Sequence, residues 1–220
     1  MLFKELANHS SKKWEAVMNK PTKVFKEYFK KEKIFLLKNI KKNSKVLDMG
    51  SGTGRIAQYI YNRASEIHNV DFDERAIKKL TKTFKEKNKV KSYFCNMKKI
   101  SINDNFFDYI ICAGNTIGNM KDIDKVATIK EAKRVLKGGG KMFFSLYSEK
   151  ALPFRIEQYE KIKVKINKID KEGKIIVDNN TITEQFSKEK ITDLFQRAGL
   201  ISKVRSLNVA FYIVEAIKKS

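Results

Sequence analysis

From Lys45 onward, apolar runs of strand length alternate with segments whose apolar residues recur at helical spacing. The first run, KVLDM, leads into a helix starting near Gly54 that carries Ile56, Ala57, Tyr59 and Ile60. EIHNVDF is the second, and Asp73 stands where it can cap a helix with the inner stripe Ile77, Leu80 and Phe84. VKSYF and FDYIICA are the third and fourth. A helix over about 124–136 and a Gly138-Gly139-Gly140 turn precede the fifth, KMFFSLY. This alternation predicts a doubly wound α/β fold around a mostly parallel sheet.

The rhythm changes after Tyr147. In YEKIKVKIN, Ile162, Val164 and Ile166 alternate with lysines, DKEG supplies a turn and KIIVDN returns. A β-hairpin insertion with one wet face is therefore predicted within residues 155–185, after the fifth strand. Ser187 is placed as N-cap of a last helix, with Phe186 and Ile191 spaced as a hydrophobic staple and Gly199 ending it. ISKVRSL and AFYIVEAI bring the sheet to seven strands, and so short a link between them permits only antiparallel pairing of the last strand. Ahead of the sheet, Val24, Phe25, Tyr28, Phe29, Phe35, Leu36, Leu37 and Ile40 recur at helical spacing with lysines opposite. They predict an N-terminal helical cap over 1–44, packed on the domain's own surface rather than on a membrane. Residues 1–220 are thus expected to form one domain: the cap, a core over 45–147, the insertion, and a C-terminal helix with closing strands over 186–220.

Composition changes this picture little. The chain has 220 residues, 42% hydrophobic, which suits one well-buried soluble domain. No apolar run approaches membrane-spanning length, and MLFKELANHSSKKW lacks the apolar core of a secretory signal. Cys95 and Cys112 suggest no disulfide framework, so a reducing cytoplasm is expected. The net charge of +22 admits a nucleic-acid partner. However, lysine supplies 40 of the 47 basic residues and is spread along the whole chain, a composition of solvated faces more than of an arginine-built phosphate surface.

In VLDMGSGTGR, Gly50, Gly52 and Gly54 follow Asp48 at alternate positions where a strand turns into a helix. Missing Cβ atoms let a ligand lie against the backbone, in front of helix N-terminal N–H groups. A nucleoside-triphosphate loop needs G-K-[ST], and Arg55 after Gly54 excludes it. A dinucleotide fingerprint places the third glycine one position later, which disfavours it. The glycines alone leave a tight turn without a ligand open. Together with the strands that follow, Asp48-x-Gly50-x-Gly52-x-Gly54 resembles the first motif of class I (Rossmann-like) S-adenosylmethionine-dependent methyltransferases. The likeness runs from about Lys45 to Ser145 through Asp71 at the second strand end, FCNMKKI, FFDYIICAGN and EAKRVLKGGGKMFF, and FSKEKITDLFQRAGL is a further match. ICAGNTIGNM is similar to a stretch of glycine-type and related small-molecule N-methyltransferases, although Asn119 stands where many of them have histidine.

The resemblance implies S-adenosyl-L-methionine as cofactor and S-adenosyl-L-homocysteine as product. It implies that Asp48, Gly50, Ser51, Gly52, Gly54, Phe72, Ala113 and Gly114 line the cofactor site, with Asp71 on the ribose hydroxyls. Asn96, where the family more often has aspartate, would take the adenine amine, and Met97 its face. Trp14 would close over the cofactor, a role set against simple packing within the cap. Methyl transfer is an in-line displacement that asks mainly for positioning and exclusion of water. The sequence accordingly offers no Ser/His/Asp arrangement and no metal-ligand cluster. Candidates for orienting the acceptor are Asn115, Thr116, Asn119 and Tyr147. The expectation is a cytoplasmic methyltransferase with a small-molecule acceptor. An RNA or protein methyltransferase and a non-catalytic S-adenosylmethionine-binding regulator are the alternatives.

Overall fold

The structure, a computed structural model, describes residues 12–177 and 181–219. Its ten strands are β1 (Ser44–Met49), β2 (Ala64–Asp71), β3 (Val90–Phe94), β4 (Phe107–Cys112), β5 (Leu136–Tyr147), β6 (Ile166–Ile169), β7 (Ile175–Val177), β8 (Thr181–Thr183), β9 (Ser202–Ser206) and β10 (Phe211–Ile217). Seven form one sheet in the order β3-β2-β1-β4-β5-β10-β9, parallel from β3 to β5, with β10 antiparallel to both neighbours. The helices are α1 (12–19), α2 (Lys23–Asn39), α3 (Arg55–Ile60), α4 (Glu74–Thr83), α5 (Asp122–Val135), α6 (Leu152–Lys161) and α7 (Lys188–Arg197). None of the described helices is long and apolar enough to cross a membrane.

Local chemistry accounts for the boundaries. Asp73 caps α4, its carboxylate accepting from the Arg75 and Ala76 N–H groups at 2.9 and 3.2 Å. Ser187 caps α7 through the Lys190 N–H at 3.2 Å, and the stapling pair Phe186 and Ile191 are both buried in the core. The two faces of the sheet carry separate cores. One, under α5 and α7, gathers Leu47, Ile110, Phe144 and Phe195; the other, under α2 and α3, gathers Val46, Ile111, Phe143 and Ile213. On the second face α2 lays its apolar stripe down: Tyr28 stacks on Phe211 at 3.6 Å and Phe25 meets the same ring edge-on at 5.1 Å. The cap expected over 1–44 is helical over 12–19 and Lys23–Asn39; residues 1–11 lie outside the described residues.

Two elements differ from the expectation. The insertion contains an antiparallel β6–β7 pair, but β6 begins only at Ile166, β8 adds a third strand, and residues 152–161 are helical. Pro153 in the first turn starts α6, and its buried face is Arg155, Gln158 and Tyr159. Polar side chains on the inner face hid the helical period. The three glycines after α5 form no free turn. They are absorbed into the start of β5, where Gly139 is left-handed (φ +73°) and its N–H donates to the Lys218 carbonyl at 2.8 Å.

Candidate functional site

Strand order reverses between β1 and β4, and open α/β sheets bind ligands where strand ends part in this way. A cavity of about 910 Å³, counting solvent at its mouth, lies there. Its floor is Asp48 and Gly50–Thr53 with Arg55 and Ile56; one wall is Asp71–Asp73, the other Ala113, Gly114, Thr116, Asn119 and Met120. Trp14, Glu15 and Met18 of α1 complete the lining.

The glycines divide their work. A Cβ on Gly50 would fall 2.5 Å from Thr116 Cγ2, and one on Gly54 3.0 Å from Leu80 Cγ. Those two serve packing. Gly52, also left-handed at φ +51°, would meet nothing within 4 Å, so its bare backbone faces open space. Beside it, Asp71 accepts from the Gly52 N–H at 2.8 Å and the Asp73 N–H at 2.9 Å. Burial holds the Asp71 carboxyl above its ordinary range, and these two donors oppose that.

Asp48 is 1% exposed, and neither of its oxygens has a hydrogen-bond partner among the described residues. Burial, reinforced by Asp71 and Glu32, pushes its carboxyl up to about 8 against the pull of Arg55. The Ser51 hydroxyl is likewise buried and unpartnered. Orphaned acceptors beside an open glycine cradle fit a ligand that brings donors or positive charge.

Beneath this wall runs a buried polar chain that sequence reasoning missed. Glu32 of α2 pairs with Arg55 and accepts from the Tyr28 hydroxyl at 2.5 Å and the Ser145 hydroxyl at 2.7 Å. The Gly114 N–H donates to the Tyr28 and Ser145 oxygens at 3.1 and 2.9 Å. Burial works against the Arg55 charge, but Glu32 and the Tyr28 and Tyr59 phenols hold its pKa above the ordinary value. A signal was present: Glu32 lies four residues after Tyr28 on the apolar stripe of α2.

The sequence-predicted residues separate into two groups. Asp48, Gly50, Ser51, Gly52, Asp71, Phe72, Ala113, Gly114 and Trp14 line the cavity, as do Thr116 and Asn119. Gly54 stands behind it. Trp14 Cη2 lies 3.4 Å from where a Gly114 Cβ would be. Asn96 and Met97 are not in the lining: Asn96 is exposed and accepts from the Lys98 N–H at 3.0 Å, while Met97 is buried in the core beneath α5. Asn115 is fully buried, donating to the Glu184 carbonyl at 3.0 Å and accepting from the Tyr147 N–H at 3.0 Å, so it pins the loop to β5 and the insertion. Tyr147 is also outside the lining, its ring enclosed by Phe25, Phe211 and the Arg155 guanidinium. Glu15, Met18, Arg55, Asp73 and Met120 join the lining unforeseen.

Residues 46–140 match the family model described as a methyltransferase domain. The ubiquinone/menaquinone biosynthesis C-methyltransferase UbiE of Rickettsia bellii is 32% identical over 146 residues, 62% of this chain and 57% of that protein. The chain spans a little over half the length of the curated relatives it matches. Among solved structures, a protein of Pyrococcus horikoshii superposes with a TM-score of 0.71 at 22% identity, covering 90% of this chain and 93% of that one. The 1,6-didemethyltoxoflavin-N1-methyltransferase of Burkholderia thailandensis, with bound 1,6-didemethyltoxoflavin and S-adenosylhomocysteine, gives 0.68 at 12% identity, covering 98% and 90%. At these identities the structural likeness concerns the fold.

Proposed function

We propose, from the methyltransferase-domain match over residues 46–140, that the chain is a class I S-adenosylmethionine-dependent enzyme that transfers a methyl group from S-adenosylmethionine to a small-molecule acceptor. The observation that carries this reading is the orphaned Asp48 carboxylate beside the open Gly52 backbone, inside the cavity at the strand ends. The charge of the lining supports it further. Among the described residues, Glu15, Asp48, Asp71 and Asp73 line the cavity against the single guanidinium of Arg55, in a chain whose net charge is +22. An acidic chamber favours a cationic ligand and holds it less well once that charge is gone.

When bound, S-adenosylmethionine supplies a sulfonium-activated methyl group for in-line displacement. The chain's own residues bind, orient and exclude water. Asp48 and Asp71 supply negative charge and acceptors, and Gly52 lets the ligand approach the backbone. Trp14 and Met18 line the chamber from α1, and a small acceptor is proposed to sit beside Thr116, Asn119 and Met120. One relative is named as a C-methyltransferase and a structural neighbour as an N1-methyltransferase, so we assign the class and not the atom. A reducing cytoplasm is the compartment proposed.

The test is incubation of purified protein with methyl-labelled S-adenosylmethionine and a cell extract. Label in the low-molecular-weight fraction is expected. Label in RNA or protein, or none at all while S-adenosylhomocysteine binds, overturns the acceptor assignment.

A further inference from the structure

The link between α1 and α2 is held from far along the chain. Gln158, on the inner face of α6, is fully buried and reaches both sides of that link. Its Nε2 donates to the Lys20 carbonyl at 3.0 Å, and its Oε1 accepts from the Thr22 N–H at 2.7 Å. Lys161, one turn on, donates to the Pro21 carbonyl at 2.8 Å. Three successive residues between the helices thus give a backbone group to α6. Thr22 is the N-cap of α2, yet its side chain caps nothing, and its buried hydroxyl has no partner among the described residues. A capping box would satisfy the Thr22 N–H from three residues on, but Phe25 stands there. Gln158 does it instead, from 136 positions away.

The link carries one wall of the chamber. From α1, Trp14, Glu15 and Met18 enter the lining, with the Trp14 ring against Gly114. Otherwise α1 is lightly held. Among the described residues, Val17 is buried, Glu15 pairs with Lys79 of α4 at 2.9 Å, and Lys13 lies 5.7 Å from the Tyr159 ring of α6. A solvent-facing pair of that kind does little to fix a helix. A segment of two turns is also too short to hold its shape alone. Its placement over the cavity therefore depends on the link, and the link depends on a side chain of the insertion. Left without Gln158, the Lys20 carbonyl and the Thr22 N–H would be buried unpaired or would move to reach water.

We propose that Gln158 is a positioning residue of this site: by clamping the α1–α2 link it holds Trp14 over the chamber and slows escape of the ligand beneath. The proposal rests on the cofactor reading above. It adds a task for the insertion, which places none of its described residues in the lining.

Trp14 is the only tryptophan of the chain, so its emission reports on α1 alone. Wild-type protein is compared with Gln158→Met, which keeps the bulk and loses both hydrogen bonds. Acrylamide is expected to quench Trp14 of the ligand-free variant more strongly. Labelled S-adenosylhomocysteine is expected to leave the variant about tenfold faster, the effect of losing one well-made hydrogen bond. In a Trp14→Ala background, where release is already fast, adding Gln158→Met changes it no further, because the ring that Gln158 places is gone. Gln158→Glu keeps an acceptor for the Thr22 N–H and recovers part of both effects; it carries the comparison if Gln158→Met does not fold. A merely structural Gln158 lowers the urea midpoint but leaves quenching and release as in wild type. That result, or losses that add in the double variant, overturns the proposal and leaves the cofactor reading standing. No binding of S-adenosylhomocysteine by wild-type protein overturns both.

Discussion

Replacing Asp48 with asparagine tests whether this carboxylate is held for a ligand or merely buried. Burial lifts its pKa from 3.8 to about 8 in the folded, ligand-free protein, while the unfolded chain ionises at the ordinary value. Between those limits the folded state binds a proton that the unfolded state has released. Stability therefore falls as pH rises, by about 1.4 kcal/mol per unit, and levels above the folded value. Over the interval from pH 6 to pH 8 the loss integrates to about 2 kcal/mol, since the group is half ionised at the upper end. Asparagine has nearly the same shape and nothing to titrate.

Urea denaturation of ligand-stripped wild-type and Asp48→Asn protein at pH 6, 7 and 8 reads this directly. Taking the difference removes the contributions of His68 and other groups common to both. The variant gains on wild type by about 2 kcal/mol between the ends of the series, with the same m-value. Binding should show the opposite preference: wild-type protein releases up to one proton when a cationic group meets Asp48 at pH 7, seen as a binding enthalpy that depends on the buffer, and the variant releases none. A stability difference equal at pH 6 and pH 8 would falsify the argument, because it would mean that Asp48 ionises as freely in the fold as outside it.

Three further outcomes follow from single residues. Trp14 is the only tryptophan of the chain and lines the cavity, so S-adenosylhomocysteine should change the intrinsic emission, and Gly52→Ala should suppress that change. Gly52→Ala itself places a methyl in the open cradle at φ +51°; about 1 kcal/mol of stability is lost in thermal melts, and affinity drops by tenfold or more in titration. Asn115→Ala leaves two buried backbone groups without partners and should cost about 2 to 3 kcal/mol in denaturation while affinity for S-adenosylhomocysteine stays as in wild type.

The sheet was legible because its central strands β1 and β4 are apolar and buried on both faces, and because Asp73 and Ser187 mark the starts of α4 and α7, patterns that depend on neighbours in sequence. The fate of Asn115 depends on a backbone turn at φ +59° that aims its amide at Tyr147 and Glu184, the latter 69 positions away. Asn96 and Met97 were placed by the family's motif, but the turn after β3 directs one outward and the other into the core. α6 escaped notice because its buried face is Arg155 and Gln158, whose partners come from the insertion and from Lys20 to Thr22. For Asn115 and α6 the deciding contacts are long-range, and local pattern reports none of them.

Glu32 shows the same principle at the site itself. On α2 it stands among lysines, where an acid reads as one half of a surface pair, as Glu27 with Lys31 indeed is at 2.7 Å. Its burial follows from Arg55, 23 positions on, and Ser145, 113 positions on. The hydrogen-bond chain from Glu32 through Tyr28 and Ser145 to the Gly114 N–H ties α2, α3, β5 and the loop after β4 into one polar unit. Because each member of such a buried network is costly to leave unsatisfied, the elements it joins hold one arrangement together. The glycine motif supplies the cradle, but Arg55, the only cation among the described residues of its lining, pairs with Glu32 of the cap. A chain that kept VLDMGSGTGR and lost α2 would retain the backbone turn without the means of placing Arg55.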